Sequence, residues 1–210
     1  MTGLNTLARR ALVLALAAAP LALAAGPALA HHGMHGEQPS TPAEGFVTGL
    51  AHPVLGLDHL AVLIGVGLLA ARFRKGLSLP AVFIVAMAGG CALHLTRLDL
   101  PFVEVWVALS IIAVGLAAAL RPATPLPLAI GLFGLGGLVH GYALAESMVG
   151  AETGAVWAYL IGLALTQSVV ATAALLASRW VAVRRQIVNR IVAGLVAASG
   201  AAFLLLVAAA

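Results

Sequence analysis

From Phe46 onward, long apolar runs alternate with short polar breaks. The pattern predicts helices near Phe46–Ala71, Leu77–Leu95, Phe102–Leu120, Leu126–Ala145, Thr153–Ser178 and Asn189–Ala209. Each is long enough to cross about 30 Å of hydrocarbon at about 1.5 Å per residue. Lipid cannot satisfy exposed backbone N–H and C=O groups, so spans of this kind are helical. The expected fold is all-α: a polytopic membrane protein, a six-transmembrane-helix bundle.

The polarity ahead of Phe46 has a different cause. Arg9 and Arg10 precede an apolar stretch, Ala11 to Ala25, interrupted by Pro20. Pro27-Ala28-Leu29-Ala30 then supplies the small-x-small pattern of a cleavage site. Residues 1–30 read as a signal peptide, cleaved after Ala30, so that the mature chain begins at His31. The other reading is an uncleaved first span, for which the apolar stretch is short. Residues 31–45 are polar and rich in Gly, Pro and His. They read as an exported tail without structure of its own, ahead of a six-helix domain over 46–210.

Composition agrees with a bilayer. Of 210 residues, 62% are hydrophobic and 9% charged, with mean hydropathy +1.10. Soluble domains are about 45–50% apolar and about 25% charged. A soluble enzyme, a disordered protein and an ordinary nucleic-acid binder are thereby excluded. Cys91 is the single cysteine, so neither an intramolecular disulfide nor a cysteine zinc finger is available.

Charge sets the orientation. Arg72, Arg74, Lys75, Arg121, Arg179, Arg184, Arg185 and Arg190 are eight of the nine basic residues after Ala30. All fall in alternate loops, which the positive-inside rule makes cytoplasmic. Both mature termini then face the exported side of a bacterial inner membrane. Small-xxx-small pairs, Gly45/Gly49 and Gly137/Gly141, permit close helix approach. That serves packing within one bundle or a seam in a homo-oligomer.

Ionisable side chains inside spans default to a functional hypothesis. Helix 1 carries His52, Asp58 and His59, helix 2 His94, and helix 4 His140 with Glu146 at its end. Helix 3 opens with Glu104, and helix 5 holds Thr166-Gln167-Ser168. With this orientation the ionisable groups run from the outer face to the midplane, an entrance without an evident exit. On a straight helix His52 and His59 share a face about 10 Å apart in height. Pro53 and Gly56 weaken the helix just there; a kink would draw the rings together and free carbonyl oxygens. Imidazoles with a carboxylate suit first-row divalent ions. Asp58 is either a ligand or the carboxylate that holds a histidine tautomer. His94 has an alternative use as an interhelical hydrogen-bonder, and Glu104 as a solvated carboxylate. His31, His32 and His35 either collect metal or merely keep the tail soluble.

The pattern His52-Pro-x-x-x-x-Asp58-His59 after a signal sequence resembles the HupE/UreJ family. Val139-His140-Gly141-Tyr142-Ala143 resembles that family's second motif, an aromatic residue followed by His-Gly and a nearby glutamate. Val139 replaces the usual aromatic residue. Glu146 follows His140 by six positions, and Ser147 stands where the glutamate is more often expected. The resemblance implies a secondary permease for Ni2+ or Co2+, supplying hydrogenase, urease or cobalamin synthesis. It places metal ligands at His52, Asp58, His59 and His140. Zn2+ and Cu2+ suit the same donors. No P-loop is present, and neither an enzymatic role nor a prosthetic group is expected. The expected partners are the transition-metal ion and the lipid bilayer, with no nucleic acid. Three other classes compete: a b-type cytochrome with bis-His haem, as from His94 and His140, an intramembrane zinc hydrolase, and a structural partner of a metalloenzyme maturation complex, which would have no need of the ionisable cluster.

Overall fold

A computed structural model describes residues 38–120 and 124–209. The proposed signal peptide, His31, His32, His35 and Arg121 lie outside the described residues. All regular structure described is helical: α1 Pro42–Leu55, α2 Leu57–Ala70, α3 Pro80–Leu95, α4 Val103–Ala119, α5 Leu126–Leu144, α6 Thr153–Val183 and α7 Arg185–Ala209. Two 3-10 turns, Gly76–Ser78 and Ala145–Met148, extend α3 and α5.

The first helix departs from the sequence reading in two ways. It begins at Pro42, so residues 42–45 are helical rather than tail. A capping box explains the earlier start: Thr41 Oγ1 accepts from Glu44 N, the Glu44 carboxylate accepts from Thr41 N, and Pro42 occupies the first turn. The helix then breaks at Gly56, whose φ of −76° and ψ of 102° are extended, and α2 leaves at 74° to α1. Pro53, without an N–H, sits in the last turn before the break.

The basic loop expected between the last two spans is instead helical. The stretch from Arg179 to Val183 has no glycine or proline to stop a helix. Only Arg185 leaves helical geometry, at φ −154° and ψ 78°, and there the chain turns back.

Four helical stretches are long and apolar enough to cross a membrane: Gly76–Leu95, Leu126–Met148, Thr153–Val183 and Arg185–Ala209. The α1–α2 pair, bent by 74°, makes a fifth where it is counted as one broken span and not as a re-entrant loop. The expected sixth span, α4, is a shorter apolar helix of 17 residues. Phe102 is left-handed (φ 59°) and Leu120 extended, which trims it at both ends. The exterior is apolar: Val85, Leu135, Ile161 and Leu205 are each more than 60% exposed. Trp157 and Trp180 lie on the surface near the two ends of α6. Their separation of about 35 Å fits interfacial belts at the two faces of a bilayer.

Glycines set the closest helix contacts. Gly90, Gly137 and Gly141 press α5 onto α3 along a parallel pair, where any added Cβ would overlap backbone of the partner helix. Gly45, Gly49 and Gly162 do the same between α1 and α6, also parallel. Gly49 lies against Tyr159, and further along Gly67 lies against Ala171. Between those points α1–α2 uses 18 residues where α6 uses 12. The broken span therefore bows away from α6 and carries its middle toward α5.

Two buried apolar clusters result. The larger includes Val62, Leu63, Val66, Phe83, Phe133, Ala171 and Leu175. The smaller holds Met87, Cys91, Leu144, Met148, Tyr159 and Leu163. On α5 and α6 the chain passes from one cluster to the other at His140 and Gln167, each 1% exposed.

Candidate metal centre

The bow brings the histidines together. His52 ends up four residues before the break, while Asp58 and His59 fall in the first turn of α2. The ring centroids of His52 and His59 are 5.8 Å apart, well inside the rise of a straight helix. His59, 7% exposed, meets His140 of α5 with Nδ1 to Nδ1 at 2.8 Å. The Asp58 carboxylate lies 3.6 Å from Nε2 of His59.

Gly56 matters here by its size. A Cβ at this position would lie 2.7 Å from Cδ2 of His59 and 3.2 Å from Oδ1 of Asp58. The backbone angles suit any residue, so the requirement is space beside the two functional groups. Gly56→Ala is expected to abolish metal binding while the purified protein keeps a monodisperse gel-filtration profile. Wild-type metal affinity in that variant would show that the space is not used.

Hydrogen bonds orient each ring. Ser110 of α4 donates to the Val107 carbonyl at 2.8 Å and lies 3.0 Å from Nε2 of His140. Tyr159 of α6 donates to the Leu144 carbonyl at 2.7 Å and lies 2.9 Å from Nδ1 of His52. Ser147, where the family motif more often has its glutamate, reaches the same Tyr159 hydroxyl at 3.4 Å.

The other expected residues are placed elsewhere. His94 packs edge-on against Tyr142, centroids 4.3 Å apart, with a buried Nδ1 that has no hydrogen-bond partner among the described residues. Tyr142 in turn ties down the α3–α4 loop through Leu98 and Leu100. Glu104 and Glu146 are exposed at helix ends. Gln167, in the polar run of α6, is fully buried, and its Oε1 has no partner among the described residues. Among the described residues, no three His, Cys, Asp or Glu side chains stand as a converged metal-holding group. The donors of His52, Asp58, His59 and His140 are adjacent but not drawn in to one point.

Sequence reasoning passed over Tyr159 and Ser110. Ser110 had one signal, a lone hydroxyl in the apolar run from Val107 to Leu116. Tyr159 had none beyond being a tyrosine in a span, since only packing shows that its hydroxyl meets His52.

An all-helical, lipid-compatible bundle with a buried histidine–carboxylate cluster at a broken span defines a polytopic membrane protein with intramembrane polar chemistry. Residues 19–203 match the family model described as HupE / UreJ protein. Protein HupE of Rhizobium leguminosarum bv. viciae is 33% identical over 190 residues, covering 88% of this chain and 94% of that protein. The chain therefore belongs to the HupE/UreJ family. No solved structure matches it.

Proposed function

We propose that this chain is a secondary permease for a divalent transition-metal ion, Ni2+ or Co2+, which enters through His52, Asp58, His59 and His140. One observation carries the reading: three imidazoles and a carboxylate from α1, α2 and α5 gather, largely buried, where a span is broken. Burying such groups in a bilayer is costly unless they are used. Broken helices are where membrane transporters place ion sites, because the freed carbonyls and helix ends face the ligand. Membership in a transporter family agrees with it. The haem pair gains no support, since His140 is engaged by His59 and Ser110, and His94 by Tyr142.

No ATP is required for entry. A divalent cation moving into an inside-negative cell gains about 4.6 kcal/mol per 100 mV. The basic residues fix the inner ends of the bundle in this scheme. Arg72 donates to the carbonyls of Ala117, Ala118 and Leu120, and Arg190 to that of Ala119, at the C-terminus of α4. Arg179 donates to Phe73. Cations at helix C-termini complete the last carbonyls and suit the helix dipole.

The test is uptake of Ni, Co, Zn and Cu, measured by elemental analysis, in cells with and without the protein. Enhanced Ni or Co accumulation supports the reading; none for any of the four, with protein in the membrane, refutes it. For orientation, a periplasm-active reporter fused after Ala210 is expected to be active, with α4 counted as the sixth span. Activity of a cytoplasmic reporter there would mean an odd number of crossings in the mature chain.

A further inference from the structure

The cluster contains a chain of short contacts, Ser110 to His140 to His59 to Asp58, that can run in either of two senses according to where Ser110 sends its proton. When Ser110 gives its single hydroxyl proton to the Val107 carbonyl, 2.8 Å away, one of the two senses is selected. Its oxygen therefore faces Nε2 of His140, at 3.0 Å, as an acceptor. His140 then carries its proton on Nε2 and bears a lone pair on Nδ1. That lone pair lies 2.8 Å from Nδ1 of His59, which must donate. His59 is left with its lone pair on Nε2, aimed at the carboxylate of Asp58 3.6 Å away.

A nitrogen lone pair facing a carboxylate oxygen is a repulsive arrangement until a cation enters between them. A gap of 3.6 Å admits a metal ion about 2.1 Å from each atom. The space beside it is the one a side chain at Gly56 would fill.

We propose that Ser110 keeps its proton on the Val107 carbonyl and is thereby a positioning residue: acting through His140, it fixes the tautomer of His59, so that the ion is taken by His59 Nε2 together with Asp58 Oδ2. His140 then serves as the orienting partner of His59 rather than as its fellow ligand. A metal-bound imidazole commonly donates its second N–H to a fixed acceptor, which sets ring orientation and basicity. The acceptor here is another imidazole, itself directed by a serine on a third helix. The inference deepens the permease reading and rests on it for the identity of the ion.

Removing the Ser110 oxygen releases the chain. In Ser110→Ala, His140 loses its Nε2–H acceptor; it releases that proton to water and takes the shared one on Nδ1. His59, having given up the shared proton, takes one from water on Nε2, in the place of the ion.

The experiment uses the purified full-length protein in detergent, as wild type, Ser110→Ala, Ser110→Thr and His59→Ala. Nitrogen-15 NMR of labelled histidines reports the tautomers in metal-free protein. Titration with Ni2+ or Co2+ reports affinity, and thermal unfolding reports integrity. In wild type, His59 is expected to be Nδ1-protonated. In Ser110→Ala it is expected to switch to Nε2-protonated, with Kd weakened about tenfold or more and the unfolding midpoint little changed. Ser110→Thr, which keeps the hydroxyl, is expected to restore both tautomer and affinity.

An Nε2-protonated His59 in metal-free wild type would overturn the proposal whatever the ion. So would weaker binding in Ser110→Ala with unchanged tautomers, because that is a packing effect. Wild-type affinity in Ser110→Ala would overturn it as well. Failure of the permease reading looks different: wild type binds neither ion, or His59→Ala binds as well as wild type.

Discussion

Cells making the His140→Ala protein are expected to accumulate no more Ni or Co than cells without the protein, at equal amounts in the membrane. His140 is 1% exposed and touches two parts of the site at once. Its Nδ1 pairs with His59 at 2.8 Å and its Nε2 with Ser110 at 3.0 Å. Alanine strips a buried partner from both, and a buried polar group left unmade costs about 1–3 kcal/mol. It also opens a void beside Phe83, whose ring centroid lies 5.8 Å from that of His140. The fold tolerates such a loss better than the site does, because α5 is held on α3 by Gly137 and Gly141 and not by the imidazole. Uptake near the wild-type level would remove His140 from the ion path and leave it an interhelical hydrogen-bonder.

Gly141→Leu is expected to fail earlier, at assembly. A Cβ at Gly141 would overlap the Met87 carbonyl, which belongs to a helix backbone and cannot swing aside as a side chain can. The Gly141 carbonyl also accepts from Cys91 Sγ at 3.1 Å, so the contact is tight on both strands of the pair. Overpacking a fitted interior costs about 1–3 kcal/mol or more. Here the only relief is separation of α3 from α5, which also displaces His140 one residue away. The expected result is aggregated protein on gel filtration and no uptake. Gly131→Leu is the matched control, since nothing among the described residues lies within 4 Å of a Cβ there. It should be made and should transport normally. Equal behaviour of the two variants would mean that the α3–α5 contact does not govern folding.

The sequence reading reached the chemistry of the site further than its full geometry. His52, Asp58 and His59 declared themselves because ionisable groups are conspicuous in an apolar run, and Pro53 with Gly56 marked the place of the break. What the break does, drawing His59 against His140, depends on α6 as a straight edge, and no local pattern reports that. Ser110 and Tyr159 escaped notice because spans apolar on every side carry little periodicity to show which face is inward. His94 shows the opposite error: its residue type is conspicuous, yet its neighbour is Tyr142. Boundaries failed where helix-forming residues continued through a basic segment, as from Arg179 to Val183. They succeeded where proline or glycine stopped the chain.

The bowed span is like a longer cord tied to a shorter rod at two knots. Gly49 on Tyr159 is one knot and Gly67 on Ala171 the other. Between them the cord has about 9 Å of contour to spare at about 1.5 Å per residue. The 74° bend at Gly56 takes up that excess, so the middle stands off the rod while both knots stay tied. The stretch that stands off is the one that holds His52, Asp58 and His59. The side chains proposed to meet the ion therefore stand on the part of this span that the contacts at Gly49 and Gly67 do not clamp.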